Sequence, residues 1–113
     1  MKKTVRVLAD YGCHALWIAG PGRYENMAPS SPEFCLSADL VHELVQWAAD
    51  YDSTLHMDDP LESGFSSESA ENEFVQRGKT IALRLRRELD SDWSVTYFDG
   101  KLHRDLVIAE GGW

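Results

Sequence analysis

Between residues 24 and 76 the sequence contains no lysine or arginine, yet it carries twelve aspartates and glutamates. The flanks are nearly balanced, +3 over residues 1–23 and +1 over 77–113, and the 113-residue chain has a formal charge of −8. Nucleic acids and anionic membranes are gripped by clustered cations. This chain lacks such a cluster, which argues against both as partners. A block of one sign instead steers partners of the opposite sign. Cysteine is scarce too, with Cys13 and Cys35 the only two. That is too few for a disulfide framework, and there is no C-x-x-C. Both sit in apolar company and are expected to be reduced and buried. No apolar run approaches the ~18 residues of a membrane span. The start, MKKTVRVLADYG, meets Arg6 and Asp10 before any apolar region of signal-peptide length. The expectation is a cytoplasmic, unprocessed chain. Linkers, repeats and low-complexity tracts are also missing, so residues 1–113 read as one domain.

Catalytic signatures are missing as well. None of the four histidines, at 14, 42, 56 and 103, has the i, i+4 partner of a helical zinc site. His56-Met57-Asp58-Asp59 offers nitrogen and oxygen ligands but not the spacing of a calcium loop. Adjacent aspartates before Pro60 also serve as turn formers. No serine lies in a G-x-S-x-G elbow, and Gly20-Pro21-Gly22 has no phosphate-loop lysine. These absences favour a binding protein without cofactor or metal. The alternatives are a small hydrolase or metal-binding protein using the Asp58/Asp59 region, or an intracellular adaptor.

What is present spells an α+β order. Thr4–Asp10 alternates as a strand, and His14–Ala19 is a second, apolar one with Trp17 in the core. Residues 20–36 hold three of the four prolines and read as a long connection. Ser37 caps a helix from Ala38 to Tyr51. Its apolar stripe is Leu40, Val41, Leu44, Val45, Ala48 and Tyr51. A second helix runs from Ser67 to Leu89, with glutamates in its first turns and arginines in its last, as the helix dipole favours. Gly78 inside its stripe costs about 1 kcal/mol relative to alanine unless something packs closely there. Trp93–Phe98 and Lys101–Ala109 alternate around Asp99-Gly100, a strong two-residue hairpin signal. The expected fold is a two-layer sandwich, β-β-α-α-β-β, with a mostly antiparallel sheet and both helices on one face.

One stretch is left over by these structural explanations. Trp47–Phe65, WAADYDSTLHMDDPLESGF, joins the two helices and is dense in carboxylates. Asp50 and Asp52 stand at a helix C-terminus, where the dipole disfavours them. Trp47 falls beside the stripe and would be an exposed aromatic anchor. Trp47, Asp50, Asp52, His56, Asp58, Asp59 and Glu62 are therefore the candidate partner-binding residues, matched to a basic protein. The same stretch, with ADYGCHALWIAGPG before it and RLRRELDSDWSVTYFD after it, resembles a family of small acidic bacterial proteins. Their pattern is W-A-x-x-Y-D-x-T-L-x-x-D-D-P-x-x-S-G-F, and the resemblance covers most of the chain. Such proteins are similar in class to immunity proteins encoded beside bacterial toxins, including those of contact-dependent growth inhibition. The resemblance implies an immunity protein that neutralises a cognate toxin, and the acidic block points to a basic nuclease as that toxin. It carries over no catalytic residues.

Overall fold

The computed structural model describes residues 3–20, 22–54 and 67–108. The order is β1 (Lys3–Val7), β2 (Leu16–Gly20), β3 (Arg23–Met27), α1 (Ala38–Asp52), α2 (Glu68–Glu88), β4 (Trp93–Asp99) and β5 (Arg104–Ile108). The α+β class and the helix pair are as the sequence implies. The sheet has five strands rather than four, in the order β3-β2-β1-β4-β5.

The extra strand, β3, lies inside the expected connection. It pairs antiparallel with β2, Leu16 opposite Met27 and Ala19 opposite Tyr24. Asn26 fixes this hairpin through its side chain. Its oxygen accepts the His14 N–H (2.8 Å) and its amide donates to the carbonyls of His14 (2.7 Å) and Leu16 (3.2 Å). β1 is the central strand. It runs antiparallel to β2 and parallel to β4, with Val5 beside Ile18 and Val95.

Alternation sorts the sheet into two faces. Val5, Val7, Leu16, Ile18, Trp93, Val95, Tyr97 and Ile108 are buried on one face. They form a single core with Leu40, Leu44 and Trp47 of α1 and Phe74, Ile81, Ala82 and Leu85 of α2. Both helices therefore cover that face. The opposite face carries Arg6, Trp17, Tyr24, Phe98, Asp105 and Val107 in register. Trp17 is half-buried there rather than in the core. Its indole N–H reaches the Leu8 carbonyl (3.1 Å) and its ring stacks on Tyr24 (5.3 Å between centroids).

The helices begin where their caps predict. The Ser37 hydroxyl accepts the Leu40 N–H (3.3 Å), and the Ser67 hydroxyl accepts that of Ala70 (3.1 Å). The stripe of α1 is rotated from the expected one, with Trp47 buried and Val45 exposed. Gly78 is a point of close approach. A Cβ there would stand 2.6 Å from the Trp47 ring and 2.5 Å from the Tyr97 hydroxyl.

Cys35 departs from expectation too. It is exposed, has φ +51°, and its thiol donates to the Pro32 carbonyl (3.1 Å), while Cys13 is half-buried. The hairpin signal at Asp99-Gly100 is displaced by one residue. Asp99 is still paired, with Arg104, so residues 100–103 form a four-residue loop. The buried Asp99 carboxylate organises it by accepting the N–H groups of Lys101 (2.9 Å) and Leu102 (3.0 Å). Lys79 of α2 stands 3.7 Å from its other oxygen.

Candidate partner-binding site

The candidate region is where α1 ends and α2 begins. His56, Asp58, Asp59 and Glu62 lie outside the described residues, as does the Asp58/Asp59 region of the alternative hydrolase reading. Trp47, Asp50 and Asp52 lie within them.

Trp47 is in the core, 1% exposed. Its ring stacks on Phe74 (4.6 Å, 7° between planes), and its N–H donates to the Phe74 carbonyl (3.0 Å). The missing side chain at Gly78 makes room for it. Seven residues after Leu40 and three after Leu44, Trp47 continues the inward line that those two leucines begin. The exposed anchor inferred for Trp47 is therefore replaced by an internal one.

Asp50 is half-buried between two helices. It accepts hydrogen bonds from Arg77 of α2 (2.6 Å) and from Gln46 one turn earlier (3.0 Å). The hydrogen bond from Arg77 holds its carboxyl below the usual carboxylate range, against a weaker upward push from burial. Asp52 is exposed and accepts the Gly12 N–H of the β1–β2 loop (3.0 Å). The same loop sends Tyr11 onto Tyr51, centroids 4.6 Å apart, and its hydroxyl shares a hydrogen bond with Thr54 (2.8 Å). Burial, followed by the neighbouring Tyr11 and Asp10, raises the Tyr51 phenol. The unfavourable dipole position of both aspartates thus has a tertiary cause. Each fastens the end of α1 to another element, through partners 27 and 40 residues away.

Across from this end, the first turns of α2 present Glu68, Glu71 and Glu73. Lys101 of the β4–β5 loop donates to Glu68 (3.2 Å) and to Asn72. Between the helix ends and that loop lies a cavity of about 300 Å³, lined by Leu8, Tyr51, Phe74, Tyr97, Lys101 and His103 among others. Its walls are chiefly aromatic and aliphatic.

Sequence reasoning missed a second cluster, on the sheet face that neither helix covers. There Arg6 donates twice to Asp105 (2.8 and 3.3 Å) and once to the Tyr24 hydroxyl (3.2 Å), with its guanidinium over the Phe98 ring at 5.1 Å. Burial lowers the Arg6 pKa, but the bonds and charge of Asp105 and Tyr24 outweigh it, and the guanidinium stays charged. Arg6 opposite Val5 and Val7 was the available signal. Its partners come from β3 and β5, which only the strand order brings together.

Among the described residues, no group of three His, Cys, Asp or Glu is placed to hold a metal, and no helix is long and apolar enough to cross a membrane. No curated protein matches the chain. Residues 3–100 do match the family described as Serratia CdiI immunity protein-like, and the chain belongs to that family.

Proposed function

We propose that this chain is a cytoplasmic immunity protein that binds and neutralises a cognate toxin, a basic nuclease, through its acidic surface. The observation that carries this reading is the family match over residues 3–100. The block of twelve acids without a Lys or Arg, residues 24–76, supports the charge of the partner. Carboxylates from Asp50 to Glu73 occupy the places that nucleic-acid phosphates take in the nuclease, and so exclude its substrate. In this reading Asp58, Asp59, Glu62 and His56 touch the toxin. Asp50 and Asp52 flank them from fixed positions, and Trp47 supports the platform from inside.

The neighbouring reading frame is expected to encode a toxin domain, and the test is binding and protection with that domain purified. Tight binding and loss of nuclease activity at one equivalent are expected. A toxin that stays active in excess of this protein overturns the function. Reversing the charges of Asp58, Asp59 and Glu62 together is expected to slow association by about tenfold, the scale of electrostatic steering. Unchanged association kinetics would remove this segment from the interface while leaving the inhibitor role standing.

A further inference from the structure

We propose that the uncovered face of the sheet is a second contact surface for the same toxin, a partner of net positive charge carrying an apolar patch. This rests on the function proposed above. Among the described residues, the helices cover one face of the sheet and no element covers the other. Of the four exposed large hydrophobic residues among those described, two stand on that face: Val107 at 73% and Tyr24 at 54%. Around them lie Phe98 and also Trp17 and Arg6, which with Tyr24 are of the residue types that dominate interface hot spots. They are held before any partner arrives. Trp17 is stacked on Tyr24, and Arg6 is fixed by Asp105, Tyr24 and Phe98 at once. Little side-chain freedom remains to be lost on binding.

Charge and size decide the occupant. The charged side chains described on this face, Arg6 and Asp105, neutralise each other. The face is therefore a neutral, aromatic window in a chain of net charge −8. Two copies of such a chain repel, whereas a basic partner is drawn in. Five strands of about five residues span on the order of 400 Å². Two such faces together would bury about 800 Å², the scale of a crystal contact rather than a stable dimer. A toxin that also reaches beyond the sheet edge meets both requirements.

The experiment compares toxin binding by the wild-type chain and by Tyr24→Thr/Val107→Thr. Threonine keeps the strand preference and removes the apolar contact. Binding about tenfold weaker is expected, with cooperative unfolding retained at a midpoint lowered by the lost Trp17 stack and Arg6 hydrogen bond of Tyr24. Equal affinity of variant and wild type overturns this inference and leaves the immunity function intact. Failure of the wild type to bind overturns both. Hydroxyl-radical labelling of the wild-type complex needs no variant: Trp17 and Tyr24 are expected to be protected, and undiminished labelling counts against the surface. Sedimentation velocity of the wild type alone supplies the last arm, since self-association abolished by the double variant would assign the face to a second copy instead.

Discussion

Gly78 shows how one residue sets the position of two aromatic rings. In an exposed helix, replacing it by alanine would gain about 1 kcal/mol of propensity. Here the added methyl would stand 2.5–2.7 Å from Tyr97 and Trp47, both buried and hydrogen-bonded to the backbone of α2. Overpacking of this kind costs about 1–3 kcal/mol. Gly78→Ala is therefore expected to lower stability, read as a reduced urea midpoint with an unchanged m-value. Asp50 offers a pH test. Its folded pKa is depressed, chiefly by Arg77. Its contribution is then present above the unfolded carboxylate pKa and is lost as pH falls through the folded value. Asp50→Asn is expected to flatten the stability–pH curve only on that acid side. The pair is solvent-screened, with side chains 48% and 38% exposed, so a double-mutant cycle with Arg77→Ala is expected to give ~0.2–1 kcal/mol.

Among the elements, the two helices are tied at both ends. At the far end from the candidate site, Glu88 of α2 accepts the Ser37 N–H (2.7 Å) and the Ser37 hydroxyl (2.8 Å), while Ser37 caps α1. Arg84 bridges Glu88 to Glu43. Burial pushes the Glu88 carboxyl up, but the Ser37 bonds and the Arg84 charge prevail and hold it below its ordinary range. Ser37→Ala removes a cap and a carboxylate partner together. A loss of about 1–2 kcal/mol is expected, measured by denaturant unfolding. The caps, the glutamate-to-arginine polarity of α2 and the Gly78 stripe were legible because they are local. β3 was not, since Arg23–Met27 has little apolar alternation and becomes a strand through Asn26 and its pairing with β2. The contacts at the C-terminal end of α1 were not legible for the same reason. The partners of Asp50 and Asp52 are set by tertiary structure, not by spacing in the chain. His56, Asp58, Asp59 and Glu62 remain as the segment the charge pattern singles out.

For the whole molecule, the proposed function divides the labour of recognition between charge and apolar surface. In that reading, long-range attraction from the acidic block sets how fast a basic partner arrives, and close apolar contact sets how long it stays. Raising salt from ~0.05 to ~0.5 M is expected to slow toxin association severalfold with little change in dissociation, because the screening length shrinks well below ~10 Å. Stopped-flow mixing checks this, and a salt-independent association rate would remove electrostatic steering from the account. The central place of β1 has a different consequence, in time rather than in space. Its parallel neighbour β4 lies about 90 residues later in the chain. At ~5–20 residues per second, a ribosome leaves β1 without that neighbour for several seconds. The β3-β2-β1 half can form meanwhile, but with an open edge able to pair with another nascent chain. Newly made protein thus passes through a vulnerable interval before it can bind a toxin. Ribosome-bound chains stalled before Trp93 are expected to be protease-sensitive, and chains stalled after β5 has emerged to be resistant.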